Sequence, residues 1–430
     1  MLAWRDVLTR WLSAASAGVV GAGVLVGGPG GPAVAAARAH RPAPWSQLPG
    51  GLRRAVGHAL GPVQETELAA SGPGIATFGV SVAISANGVV AVVGAPSQQL
   101  VYVFTRSGPG WRQTAELRAA DQADPDEFGF SVAISALGGT VVAGAVEHGS
   151  KQRGAAYVFT RSGRGWRQAA ELTASDGARE DGLGQSVAIS PDGGTVVAAA
   201  MSRDTYRGAV YVFTGPGWRQ QAELTASDPA IEDFLGWSVA TSSAGDEVLA
   251  GAVGHDSSAG AVYVFTRRGR SWHQTAELTG TGSRSLGWSV AVSPAGDTVV
   301  AGAADSNSYA GAVYVFTRRG TTWSQQDELT GRDSTALDFF GSSVAISPSG
   351  GTLLIGASQK NTATGAAYVF TRQGTHWRQA TELAASEGAI GDSFGTSVAI
   401  SAAGSTAIIG APRHNAGDGA AYIVAGLPSR

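Results

Sequence analysis

One short phrase, Phe/Leu-Gly-x-Ser-Val-Ala, returns seven times along this 430-residue chain, and that recurrence constrains the fold more than any other feature. Its glycines are Gly79, Gly129, Gly184, Gly236, Gly287, Gly341 and Gly395, at intervals of 50, 55, 52, 51, 54 and 54 residues. The same four segments follow each time. In the third copy they are 186–190, 195–200, 208–214 and 218–225. The first three are short, β-branched or aromatic, and bounded by turn residues, which predicts strands. Pro191-Asp192-Gly193-Gly194 supplies a tight hairpin between the first two. Ala209-Val210-Tyr211-Val212-Phe213 is apolar on both faces, as a strand between packed sheets must be. The fourth segment is more polar, as an outer edge strand should be.

Four strands of rising polarity, repeated at about 50 residues, predict an all-β fold. The expectation is a seven-bladed β-propeller of four-stranded antiparallel blades, because a radial arrangement leaves only short, protected sheet edges. The seventh copy has three strands (397–401, 406–411, 420–425) and then five residues. The missing fourth appears at the other end, where 61–71 matches 165–175. Residues 62–68 are therefore expected to complete the last blade and close the ring.

Ahead of the repeats, Arg5 and Arg10 precede an apolar stretch (11–26), followed by the small-x-small sites Ala33-Val34-Ala35 and Ala37-Arg38-Ala39. This is the pattern of a secretory signal peptide, assigned to 1–39; the alternative is a retained membrane anchor. Residues 40–60 are expected to be a linker, either a loosely ordered spacer or one short amphipathic helix carrying Leu48, Leu52, Val56 and Leu60 on one face. The propeller is assigned to 61–425 and a short tail to 426–430. With no cysteine, the chain has no disulfide, Cys-ligated zinc or thiol nucleophile. A net charge of -3 gives no general attraction to nucleic acid or anionic membrane. The expectation is a secreted or cell-surface monomer with no membrane span once the signal is cleaved.

Phe78-Gly79 with the later Gly94-Ala95-Pro96, and Gly410-Ala411-Pro412 in the last copy, resemble the FG-GAP repeat. That repeat builds the seven-bladed head of integrin α chains and many bacterial surface or secreted proteins, so the resemblance implies a propeller and adhesion. Integrin-like copies carry an Asp-x-Asp-x-Asp-Gly calcium loop between their first two strands. Here those turns read Ser85-Ala86-Asn87-Gly88, Ser190-Pro191-Asp192-Gly193 and Ser293-Pro294-Ala295-Gly296-Asp297, too poor in carboxylate for calcium.

Loops joining blades share one face with the loops between second and third strands, and that face is the expected binding surface. The inter-blade loops carry paired acids: Asp121 with Asp126, Asp176 with Asp181, Asp228 with Asp233, Asp333 with Asp338, and Glu387 with Asp392. The loops entering blades one and five lack both members. These pairs read either as backbone-capping residues or as low-affinity calcium sites. His148, His255 and His414 recur at one position in the second-to-third-strand loops, one per blade and too far apart for shared zinc, so solvent-exposed loop positions are expected. Asp204, Asp256, Asn307, Asn361 and Asn415 read as turn-formers.

The residue after each motif glycine should lie near the channel mouth; it is Val80, Phe130, Gln185, Trp237, Trp288, Ser342 and Thr396. With Tyr206 and Tyr309 from loops on the same face, Phe130, Trp237 and Trp288 form a candidate aromatic platform for a sugar ring or a protein side chain. The alternative is that these rings seal blade contacts, the role expected of Trp111, Trp166, Trp218, Trp272, Trp323 and Trp377. The sequence thus points to a non-catalytic module recognising an extracellular protein or glycan, with no required cofactor. Two alternatives stand beside it: an extracellular polysaccharide-acting hydrolase with a carboxylate pair at the channel mouth, and a purely structural scaffold.

Overall fold

The structure, a computed structural model, describes residues 63–70, 77–123 and 126–429. The expected signal peptide and linker fall outside the described residues. Seven separate four-stranded sheets run through the rest, each with antiparallel neighbours. In six of them the strands lie in chain order; the third holds Val187–Ile189, Thr195–Ala200, Ala209–Thr214 and Arg219–Leu224. The first strands of successive sheets meet one another all the way around, so they line the axis of a seven-bladed propeller.

Burial follows the sequence pattern. The third strands open with five apolar, buried residues because this part of each is covered by a neighbouring blade on both faces; Tyr157, Tyr211, Tyr263, Tyr314, Tyr368 and Tyr422 are fully buried. Four of the motif phenylalanines pack edge-on against such a tyrosine, as Phe340 does on Tyr368 at 5.3 Å between centroids. Each apolar cluster spans two adjacent blades, and five of the six fourth-strand tryptophans border such a cluster while Trp377 sits inside one.

The motif glycine and serine together explain how blades join. All seven motif glycines have φ between 89° and 98°, a left-handed conformation that costs other L-residues energy. A Cβ on Gly79 would lie 2.3 Å from the Ala420 carbonyl oxygen of the neighbouring blade. The serine two residues on donates to the motif glycine carbonyl of the next blade: Ser81 to Gly129 (2.9 Å), Ser131 to Gly184 (2.7 Å), Ser238 to Gly287 (2.7 Å), Ser289 to Gly341 (2.8 Å), Ser343 to Gly395 (2.8 Å) and Ser397 to Gly79 (2.9 Å). The last of these joins blade seven to blade one directly. The third-to-fourth link differs: Ser186 Oγ instead accepts the Val239 N–H at 3.0 Å. There Ala199 replaces a glycine found in every other blade, and its methyl fills the space the serine would use.

The seventh sheet has the order 64–68, 420–425, 406–411, 397–400. Gln64–Leu68 pairs antiparallel with Ala421–Ala425, and Leu68 is buried.

A candidate ligand-binding face

Topology places the inter-blade loops and the second-to-third-strand loops at one end of the ring. In five blades the latter loop is a left-handed turn, beginning at Asp204, Asp256, Asn307, Asn361 and Asn415 with φ of 47–53°. Asp and Asn tolerate this region better than other side chains, which bears out their reading as turn-formers. The turn continues through Tyr206 (φ 63°) and Tyr309 (φ 65°), and Tyr309 is left exposed.

The residue just before each motif Phe/Leu is also left-handed in every blade: Thr77, Glu127, Gly182, Phe234, Ser285, Phe339 and Ser393, with φ of 54–69°. Its identity changes from blade to blade, and so does its partner in the adjoining loop. Thr77 bonds Ser97 at 3.0 Å, and Ser285 donates to Asp305 at 2.8 Å. In blade two the side chain is Glu127, whose carboxyl is pushed up to about 7 by burial and then by the nearby Glu147.

Three of the predicted platform residues come together. Tyr206 and Trp237 are joined through Phe234, at 5.5 Å and 6.1 Å, and Trp237 meets Trp288 of the next blade at 5.1 Å. The four rings form a continuous half-buried strip. Tyr309 belongs to a second pair, stacked on Phe339 at 5.5 Å and 27°. Phe130 lies in blade two, two blades from Trp237. Phe234 and Phe339 escaped the sequence reading, although each stands directly before a motif Leu or Phe. Ile231, Leu337 and Ile390 are exposed in inter-blade loops. Burial, then Glu180 and Glu232, raises the Tyr206 hydroxyl above its ordinary range.

The acid pairs have a consistent local role. The second member accepts a backbone N–H three residues earlier: Asp126 from Ala123 (2.8 Å), Asp181 from Ala178 (2.6 Å), Asp233 from Ala230 (2.7 Å), Asp338 from Thr335 (2.7 Å) and Asp392 from Ala389 (2.8 Å). The first member receives a buried tyrosine hydroxyl in blades three, four and six: Tyr211 to Asp176 (3.2 Å), Tyr263 to Asp228 (3.0 Å) and Tyr368 to Asp333 (2.9 Å). A basic side chain sits among the acids in all five blades. It is His148, Arg203, His255, Lys360 and His414 in turn. In blade five, Ser306 takes the place instead and accepts the Arg284 N–H at 2.9 Å. Burial pushes the Glu382 carboxyl up to about 7, Asp333 adding to the effect.

The histidines correct the expectation of exposed loop positions. The side chains of His148, His255 and His414 are only 16%, 14% and 7% exposed, because acids before and after them in sequence converge on each ring. Gly391-Asp392-Ser393-Phe394-Gly395 has the spacing of a hydrolase nucleophile elbow. Ser393 is buried on an inter-blade loop rather than a strand-to-helix turn, and its hydroxyl points to the Gly391 carbonyl at 3.4 Å.

A family model for the FG-GAP repeat matches residues 111–159, 166–213, 218–265, 323–370 and 377–424, more than half the chain. This chain belongs to the FG-GAP repeat family. No match was found among curated proteins. Each matched FG-GAP stretch starts at the fourth strand of one blade and ends in the third strand of the next. The repeat in sequence is thus offset by one strand from the blade in space. The five matched copies are those that carry both the acid pair and the basic side chain. Among the described residues no helix is long and apolar enough to cross a membrane.

Proposed function

We propose that this FG-GAP propeller is a secreted or cell-surface binding module that recognises a protein or glycan through its loop face and catalyses no reaction. The observation that carries the reading is the Tyr206–Phe234–Trp237–Trp288 strip. Aromatic rings left half-exposed in contact with one another suit the apolar face of a sugar or an inserted side chain. Glu180 and Glu232 beside Tyr206 add acceptors suited to hydroxyl or amine groups. The acid pairs, on this reading, stiffen the face by capping its loops, with calcium as the alternative role.

The test is a glycan-array and cell-surface pulldown screen of the full chain against the Trp237→Ala/Trp288→Ala variant. Binding should fall at least about tenfold, the usual scale for losing central aromatic anchors. Undiminished binding in a folded double variant would remove the strip from the site.

A hydrolase reading draws on one observation, a Glu127 carboxyl near neutrality beside Glu147 at the loop face. Turnover of a polysaccharide that disappears in Glu127→Gln would favour it over the binding module.

A further inference from the structure

Blades two, three, four and six build the same cage from two loop acids and one fourth-strand glutamate, but fill it differently. In blade three the guanidinium of Arg203 bonds Asp176, Asp181 (3.1 Å) and Glu223 (3.1 Å). In blade six Lys360 Nζ lies 2.9 Å from Asp333 and 3.5 Å from Asp338, near Glu382. In blades one and five, which lack the loop acids, this position is not basic. The basic residue therefore accompanies the acids: a cage with three carboxylates holds a cation.

In blades two and four the residue at the centre is a histidine, a ligand in its neutral form rather than a permanent cation. His148 Nε2 faces Glu171 Oε1 at 3.4 Å and Asp121 Oδ2 at 3.7 Å; His255 Nε2 faces Glu277 Oε1 at 3.4 Å and Asp228 Oδ2 at 3.9 Å. In each blade the three donor atoms all lie within 4.8 Å of one another. Tetrahedral bonds of about 2.0–2.2 Å place neighbouring donor atoms about 3.3–3.6 Å apart, so a small inward movement suffices. The opposite ring nitrogen, Nδ1, is held by the buried Asp126 at 3.0 Å in blade two and by Asp233 at 3.4 Å in blade four. A carboxylate on the far nitrogen is what orients a metal-binding imidazole. In blade two, His148 and Glu171 open onto a cavity of about 340 Å³, which leaves a fourth position for water or a ligand oxygen.

We propose that blades two and four each bind one divalent transition-metal ion of the zinc class through Asp121, His148 and Glu171, and through Asp228, His255 and Glu277. One imidazole nitrogen with two carboxylates suits zinc, whereas calcium demands six or more oxygen ligands. Blade seven is left out, because Glu387 replaces the first aspartate and His414 Nε2 stands 4.0 Å from Glu67.

The sister blades supply a variant that retains a basic residue in the cage. In calorimetric titration of the full chain with zinc chloride, two equivalents should bind, and His148→Arg and His255→Arg should each remove one. Arg203→His should add a third, and Asp126→Asn should weaken the blade-two site about 10- to 100-fold. Circular dichroism reports whether each variant is folded. Absence of zinc uptake by the folded chain, or two equivalents retained by the double His→Arg variant, would overturn the proposal. So would calcium binding at the same sites as tightly as zinc.

Discussion

The axis and the loop face of this propeller are built from the same seven repeats under opposite constraints. At the axis, the motif glycines hold φ within 89–98° in every copy. A few residues away, the left-handed position before the motif is Thr, Glu, Gly, Phe, Ser, Phe and Ser in turn. Backbone packed against backbone leaves room for one solution, whereas a side chain reaching into an adjoining loop can vary with that loop without opening the ring. The difference separates what makes the torus from what it presents.

Two contacts bear on how the ring closes, and deletion tests one of them. The Ser-to-Gly hydrogen bonds join blade seven to blade one through Ser397, while the N-terminal strand adds a fourth member to the last sheet. Deleting residues 61–71 would remove a five-residue ladder and the buried Leu68, and would uncover the apolar strand Ala420–Ala425. We expect this to be the largest effect, a loss of at least about 4 kcal/mol seen as a lower melting temperature. An unchanged melting temperature would mean that the axial contacts close the ring unaided.

A smaller perturbation acts on one link of the axial circuit. A Cβ on Gly144 would lie 2.0 Å from the Gly184 carbonyl oxygen and 2.5 Å from Ser131 Oγ. Gly144→Ala should displace that serine, as Ala199 does in blade three, and cost about 1–3 kcal/mol in denaturant unfolding. Ala199→Gly should be nearly neutral. The regained hydrogen bond is worth about 1 kcal/mol, offset by about 0.5–1 kcal/mol of glycine entropy. Equal melting temperatures for wild type and Gly144→Ala would show that the serine bonds contribute nothing.

The same contrast explains how much could be read from sequence. Strand boundaries such as Thr195–Ala200 and Thr406–Ala411 were legible because short apolar runs and the turn chemistry that bounds them are local. The aromatic strip was legible only in part: Trp237 and Trp288 follow the motif glycine, but Phe234 joins them because its backbone is left-handed, which no residue-level pattern announces. His148 was misplaced for a related reason. Its partners lie 22 residues before it and 23 after it, at Asp126 and Glu171, and meet only when loop and outer strand converge.

A pH-dependent effect of modest size tests whether the face sacrifices stability. Glu127 has an ordinary value of 4.5 and is held at about 7 in the folded chain, first by burial and then by Glu147. Between those two values the folded state binds more proton than the unfolded state, so stability must fall as pH rises through that window. Above it the folded chain carries the full cost of a partly buried carboxylate. Glu127→Gln has no proton to lose and should escape this fall. Its unfolding free energy should match wild type near pH 4 and exceed it at pH 8, by about 1 kcal/mol once screening by solvent is allowed for. Gly144→Ala should show no such crossover, since no titrating group is involved. Parallel curves for Glu127→Gln and wild type would place this carboxylate in an ordinary solvated setting. A growing gap would instead mark a residue at the loop face that works against folding, as groups positioned for a ligand commonly do.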